Sequence, residues 1–590
     1  MKHITLALSG LLLLTIQKPV QAQYEGLVTK EGLIIQSYFG TAGSVTIPTN
    51  YTGFTVIGIA ANAFQIDFDL TNVVIPATVT NVAEGAFAGC QKLTAISVVP
   101  QNPAYSSTNG VLFDYNQTTL IDYPEGLAGS YTVPGSVTNI SAEAFLNAGL
   151  ATVTISGSVQ DVGASAFLGC GYLTNVTLQT GLLSVGSGAF GDTSVASVTL
   201  PASVTNIGAA AFSPCPELTS IAMAAPNAFY SSSNGVLFNS DQTALVQYPD
   251  GLEGSYQIPA SVVNIDSNAF ANSVVTNVMI PCGVTSIGEQ AFQESDVTSV
   301  VIPGSVTNIA EGAFAECLKL PAFTVALTNA FYSSPHGVLF DADQTILVQY
   351  PGGMGGSYII PNSVTTIGDY AFETCLSLTN VTIPNGVSSI GYAAFDGSGI
   401  TTVTIPGSVT NIAEYAFSSQ DLTNAIIAAG VTSIGQSAFF GSGLRNVTIP
   451  ETVTNIGLFA FVDCNQLTGV YFTGEAPATD PSAFAGDSVT AYYLPGTTGW
   501  SAFSASTDLV PVLWNPTVQT GAENFGVTSG QFGFNIIGTS NIPISIQACT
   551  NLANPAWSSL TNVSLTNSSI YFTEPLQTNS SSRFYRIVPP

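Results

Sequence analysis

One phrase of 22 or 23 residues recurs along nearly the whole chain and constrains the fold more than any single residue. It runs approximately L-T-x-V-x-I-P-x-S-V-T-x-I-G-x-x-A-F-x-x-C. The Phe of its A-F pair falls at Phe64, Phe87, Phe145, Phe167, Phe190, Phe212, Phe270, Phe292, Phe314, Phe372, Phe395, Phe417, Phe439, Phe461 and Phe484. Every step between them is 22 or 23 residues, apart from three of 58. A unit this short buries its apolar face only by stacking on its neighbours. The pattern therefore predicts a solenoid, and a solenoid acts through its surface.

Within one unit, L-T-x-V-x-I-P alternates apolar and small polar residues, as a half-buried strand does. Fourteen copies begin between Leu70 and Leu467. S-V-T-N-I-G, as at Ser203–Gly208, predicts a second short extended piece, and A-F a tight return whose Phe plugs the core. Stacking places the first strands side by side in one long parallel sheet. The three long steps hold one insertion, at 102–131, 227–256 and 329–358, reading N-x-x-Y-S-S-x-[NH]-G-V-L-F-x-x-[DN]-Q-T-x-L-x-x-Y-P-x-G-x-x-G-S-Y. V-L-F, a turn, then L-x-x-Y-P predicts a protruding hairpin, and S-Y-x-x-P a strand that re-enters the sheet. Three re-entry strands and one at Ser44–Ile47 bring the expected total to 18 coils.

The phrase, with its G-V-L-F hairpins, resembles the BspA-type leucine-rich repeat of bacterial and some protist surface proteins. The resemblance covers Gly32 to Trp514. It implies a mainly β, right-handed arc of parallel strands and a role in adhesion or interaction, with no fixed catalytic residues.

The ends depart from the phrase. Met1-Lys2-His3, an apolar run from Ile4 to Ile16, and Val20-Gln21-Ala22 predict a secretory leader at 1–22, cleaved after Ala22. Residues 23–43 are expected to cap the first coil, whose bare edge would otherwise expose core and unpaired backbone. The repeats and a closing cap, with Trp500 and Trp514 supplying bulk, fill 44–514. From 515 to 590 short strands at Phe525–Ile537, Ile542–Cys549, Ser569–Phe572 and Arg583–Val588 predict a small β-sandwich like immunoglobulin or fibronectin modules. No apolar run reaches the 20 residues of a membrane span.

Composition narrows the function. Only 7% of residues are charged and the formal net charge is −28, with 36 acidic residues against 8 basic ones, two of them in the leader. Nucleic acid is excluded as a partner, because phosphate binding needs clustered Lys and Arg. His336 is the one histidine beyond the leader, and it occupies the turn position of Asn109 and Asn234 in the sister insertions. Asn and His before Gly tolerate positive φ, so a turn role is expected. Cys90, Cys170, Cys215, Cys317, Cys375 and Cys464 each follow the repeat Phe by three residues. No two fall in adjacent coils, and two strand spacings exceed the reach of a disulfide, so buried thiols are expected. Cys282 and Cys549 lack a His partner. The Asp241-Gln242-Thr243 and Asp343-Gln344-Thr345 turns lack the dense acidic spacing of a calcium loop, and turn capping is expected. Carboxylate chemistry on polysaccharide would need paired acids or an adjacent base. Lys92, Lys319 and Arg445 are the only basic residues of the repeats, far apart.

Catalytic residues, metal ligands and cofactors are therefore not expected. Two surfaces are candidates for ligand binding. One is the outward ladder of the main sheet, with Asn175/Thr177, Asn380/Thr382 and Asn446/Thr448; Thr stacks well on itself, so such a ladder needs no ligand to exist. The other is the set of insertion tyrosines Tyr105, Tyr230 and Tyr332 with Tyr123, Tyr248 and Tyr350, which either meet a partner or pack on their own coils. The sequence leads to an exported, monomeric repeat protein, secreted or at the cell surface, that binds protein or glycan. The alternatives are a carbohydrate-active or polysaccharide-binding protein and an architectural part of an extracellular layer.

Overall fold

Alternation in L-T-x-V-x-I-P puts every second side chain on one face, and the computed structural model of the protein uses that face as the inner wall of a β-solenoid of about 22 turns. The structure describes residues 4–6, 12–14, 24–41, 43–65, 69–507, 509–521, 523–576 and 582–590. The expected leader thus lies outside the described residues apart from the first two segments. The chain divides into two units, residues 1–331 and 332–590.

In the first unit Tyr24–Val28 and Leu33–Tyr38 pair antiparallel at the start of the core, as a cap requires. The repeat strands then form four short parallel sheets rather than the single long one expected. They hold Ser44–Thr46 to Ala95–Val98, Gly129–Thr132 to Asn175–Leu178, Ser197–Leu200 with Ser220–Met223, and Gly254–Gln257 to Phe323–Val325. The breaks after Val98 and Met223 are where insertions enter. A second ladder, of two-residue strands such as Asn139–Ile140, Asp161–Val162, Ser184–Val185 and Asn206–Ile207, runs alongside.

The A-F return is a repeated device. The residue two before the Phe takes a positive φ in every coil up to Phe461, as at Asn62, Gly85, Glu143, Ser165, Gln290 and Tyr370. This left-handed step turns the chain sharply enough to drive the next two residues inward. The Phe rings stack coil on coil: Phe145, Phe167, Phe190 and Phe212 lie 4.5, 5.0 and 5.4 Å apart and within 15° of parallel. Within an uninterrupted run of coils the Phe N–H also donates to the Ala carbonyl of the following coil, as from Phe145 to Ala166 (2.7 Å) and Phe292 to Ala313 (2.8 Å). The six repeat cysteines are buried free thiols, as is Cys549. Four of the first unit's donate from Sγ to the preceding coil's Phe carbonyl, Cys90 to Phe64, Cys170 to Phe145, Cys215 to Phe190 and Cys317 to Phe292. They are hydrogen-bond donors between coils as well as fillers of space.

The insertions do not protrude. Tyr105–Thr108, Val111–Asp114 and Thr119–Asp122 form an antiparallel meander whose last strand joins the second ladder in parallel with Asn139–Ile140. Tyr123 then occupies the register of a repeat Phe. Its N–H donates to Ala144 O (2.7 Å), and its ring stacks on Phe145 at 4.8 Å. Tyr248 does the same with Ala269 and Phe270, and in the second unit Tyr350 with Ala371 and Phe372. Each insertion thus supplies the second-ladder strand and the return of the coil that it interrupts.

The insertion motif reads as a splice. Asn102 Nδ2 donates to Pro76 O and Val79 O, both at 2.8 Å, while its Oδ1 accepts from the N–H groups of Ala104 and Tyr105. The Tyr105 hydroxyl accepts from Val82 N–H (2.8 Å) and that of Tyr230 from Ile207 N–H (3.0 Å). Gly110 O and Ser107 Oγ accept from Ile96 and Val98 N–H, closing the open edge of the main strand. Asn109, Asn234 and His336 all show positive φ, as expected of the turn.

Carboxylates complete the splices. Glu125 accepts from Gly89 N–H and Asp250 from Cys215 N–H (2.7 Å), replacing carbonyls that the interrupted coil lacks. Burial pushes the Asp250 carboxyl up to about 7, against the two hydrogen bonds that lower it, and Glu125 up as well. In the second unit Asp487 accepts from Cys464 N–H and is pushed up to about 6, chiefly by burial.

The second unit stacks Phe372 through Phe484 in the same way, with ring separations from 4.6 to 5.7 Å. Its end differs from expectation. An unforeseen helix, Trp500–Thr507, closes the core with Trp500 and Phe503 against Phe472. Beyond it two antiparallel sheets form, Thr517–Gln519, Phe525–Thr528, Gln531–Ile537 and Ser569–Pro575 in one, and Pro543–Cys549, Ser558–Ser564 and Phe584–Val588 in the other. The core of this sandwich includes Tyr471 and Tyr492 of the last coils, stacked at 4.7 Å, beside Phe534, Ile544 and Ile546. Trp514 belongs to that joint and donates from its indole to Pro543 O (2.9 Å). Module and solenoid end share one apolar core.

Two outcomes follow. In urea unfolding, Phe292→Ala should cost about 3–5 kcal/mol. Tyr248→Phe, which keeps the ring and loses only the bond from its hydroxyl to Leu252 O, should cost about 1 kcal/mol; equal losses would refute the Phe-like role of Tyr248. For pH, a carboxyl whose folded pKa is raised binds its proton more tightly folded than unfolded. Its contribution is therefore full below the unfolded value and is lost as pH rises through the folded one. The melting temperature should fall between about pH 5.5 and about pH 8, and Asp250→Asn should flatten that slope; a melting temperature that rises over this range would contradict the assignment.

Candidate interaction surfaces

The expected ladder residues reach solvent. Strand pleating sends Val176 inward and leaves Asn175 and Thr177 exposed, aligned with Thr152 and Thr154 of the preceding coil. In the second unit Asn380, Thr382 and Thr448 are exposed and Asn446 half-buried, with Thr402, Thr404, Asn424 and Ile426 between them. The structure thus brings Asn380, Thr382, Asn446 and Thr448 onto one face and holds Asn175 and Thr177 on the other unit's equivalent. Charge is nearly absent there. Exposed Met279 and Val301 in the first unit, and Ile359 and Ile426 in the second, add apolar patches. At Tyr471 the row ends, because that ring is covered by the sandwich.

The insertion tyrosines divide differently. Tyr123, Tyr248 and Tyr350 are 5%, 1% and 1% exposed, so their rings cannot meet a ligand. Tyr105, Tyr230 and Tyr332 are half-buried, and the hydroxyls of the first two accept backbone N–H groups. Of the two readings open from sequence, packing on the coil describes them. The other polar marks of the motif are likewise engaged. Asp114 and Asp341 cap their turns through Thr118 and Thr345, and Asp241 accepts from Thr243 N–H and Oγ1. In the third insertion the cap is Asp341 and not the expected Asp343.

The remaining chemistry is held in similar ways. Burial pushes the thiols of Cys170 and Cys317 up to about 12 and those of Cys215 and Cys464 up to about 11, so they are not thiolates near neutrality. The raised carboxyls of Glu125 and Asp250 serve the splices. Lys92 and Lys319 form single exposed ion pairs with Asp69 and Asp296. Among the described residues no group of three His, Cys, Asp or Glu could hold a metal ion, and no helix is long and apolar enough to cross a membrane.

One surface went unread in the sequence. Around the A-F return the second unit carries Tyr370, Tyr392, Tyr415 and Phe440 in a row, with centroids 5.4, 5.9 and 6.5 Å apart. Tyr392 is 38% exposed. The signal was available: the slots beside A-F hold no aromatic residue in any coil of the first unit.

A search of curated proteins gives no match. Among solved structures, the chain is similar to a leucine-rich cell-surface protein of Faecalibacterium prausnitzii A2-165, at 21% identity over 83% of this chain and 98% of that one, with a TM-score of 0.35. The pneumococcal vaccine antigen PcpA is 17% identical over 84% of this chain and 98% of its own, with a TM-score of 0.31. A leucine-rich-repeat protein of Eubacterium ventriosum is 19% identical over 68% and 96%, with a TM-score of 0.35. The family described as BspA type leucine rich repeat region matches in six copies, over residues 57–134, 138–256, 254–334 and 356–468. Those segments span more than half of the chain, which thus belongs to the BspA-type leucine-rich-repeat family.

Proposed function

We propose that this protein is an exported interaction scaffold, secreted or held at the cell surface, that binds protein partners through the outward face of its repeat sheet. The observation that carries the reading is the second unit's face from Asn380 to Thr448, largely exposed and nearly uncharged, with apolar Ile426 within it and Ile359 beside it. A Thr, Asn and Ile surface of this kind suits a broad contact, since interface centres are depleted in charge. Membership of a surface repeat family supports the same reading. It assigns no catalytic step, and the engaged thiols and carboxyls are consistent with that.

The reading predicts that mature protein recovered outside the cytoplasm begins at Gln23, measured by mass spectrometry of its N-terminus. It also predicts that protein ligands captured by residues 23–590 from extracellular-matrix or cell-envelope panels are lost on Thr404→Arg. An exposed substitution of this kind should leave the melting temperature unchanged. Capture that ignores Thr404→Arg would remove the sheet face from the reading, and release of reducing ends from a polysaccharide panel would replace it with an enzyme.

A further inference from the structure

The aromatic row of the second unit's return turns has an acidic setting. Asp369 accepts from the backbone N–H of Tyr392 (2.7 Å), and Glu414 accepts from Gln436 Nε2 (2.8 Å). The Tyr392 hydroxyl is pushed up first by partial burial and then by the charges of Glu414, Asp396 and Glu373, which places those carboxylates within electrostatic reach of the ring. The row ends at Phe440 on the wall of an open cleft of about 480 Å³, lined also by Gln420, Asp463, Asn465 and Gln466. Arg445 is the only basic residue in this unit's repeats. Rings next to carboxylates form the complement of a guanidinium or ammonium group, which gains from the ring face and the nearby charge together.

We infer that the return-turn row Tyr370–Tyr392–Tyr415–Phe440 is a second binding surface, for an arginine- or lysine-bearing polypeptide segment laid along the coils. The choice of occupant rests on charge complementarity: carboxylates accompany the rings from Asp369 to Asp463, whereas a neutral glycan would draw nothing from them. The surface is independent of the sheet face. The first unit supplies an internal control, because its return turns carry exposed Glu289 and Glu311 without any ring beside them.

The test is fluorescence anisotropy of a labelled oligoarginine peptide with the full chain, at low and physiological ionic strength. Tyr392→Ser with Tyr415→Ser leaves the net charge unchanged. It should weaken binding about four- to twenty-five-fold, at about two- to fivefold per exposed cation–π contact. Tyr392→Phe with Tyr415→Phe should restore binding, which a loss of folding in the serine variant would not explain if its melting curve is wild type. Glu289→Gln with Glu311→Gln, two charges removed elsewhere, should change affinity less than twofold, and Thr404→Arg should have no effect beyond that small charge effect. Binding that follows net charge alone, regardless of the tyrosines, would overturn the inference. So would retention of a neutral oligosaccharide in place of the peptide.

Discussion

Everything in this fold depends on one contact made over and over: a repeat Phe stacked on the Phe of the next coil while its N–H reaches that coil's Ala carbonyl. A 22-residue coil has no core of its own, so the stack must supply both the apolar burial and the backbone pairing. The left-handed residue two places earlier is the cost of aiming the Phe inward. Residues as unlike as Asn62, Glu143, Ser165 and Tyr370 accept that strain at this one place. The coil-to-coil ring contact is what makes the strain tolerable.

The insertions show how the contact is restarted after each interruption. Where the period breaks, Tyr123, Tyr248 and Tyr350 enter the Phe register, and the neighbouring side chains take over roles that backbone carbonyls perform elsewhere. Tyr105 and Tyr230 hydroxyls, Asn102 and Asn227 amides, and the Glu125 and Asp250 carboxylates each satisfy a main-chain group that the interruption leaves open. A thirty-residue motif repeated three times thus has a structural explanation at nearly every polar position. Repetition of a motif within one chain is not in itself a sign of a ligand.

Much of this was legible in the sequence because periodicity reports burial directly. The strands, the inward Phe, the buried cysteines and the outward Asn175/Thr177 ladder all follow from one period, and the positive-φ turn at Asn109, Asn234 and His336 follows from the Gly after each. Interactions that cross the period were not legible. Nothing local in L-x-x-Y-P says that its Tyr will stack on a Phe 22 residues later, so the insertions read as free hairpins. Trp500–Thr507 holds too few apolar residues to announce a helix, and the burial of Tyr471 depends on a sandwich that begins some forty residues later. The aromatic row escaped for a different reason: its members sit in different slots around A-F, so no single column of the repeat reveals them.

The scarcity of charge has a physical reading as well. Threonine hydroxyls of the L-T position donate to carbonyls one coil back, as from Thr174 to Ala151, Thr298 to Thr276 and Thr423 to Thr401. In the second ladder Thr307 and Thr454 do the same. A short hydroxyl can bridge coils about 5 Å apart without the entropy a lysine or glutamate would lose. Coil stacking thus favours small polar residues over most of the surface, and a bulky or charged side chain there has no role in the repeat itself. By that argument the aromatic side chains on the return turns of residues 369–440, Tyr392 exposed and the others half-buried, stand out: the coils of the first unit reach the same geometry without such rings.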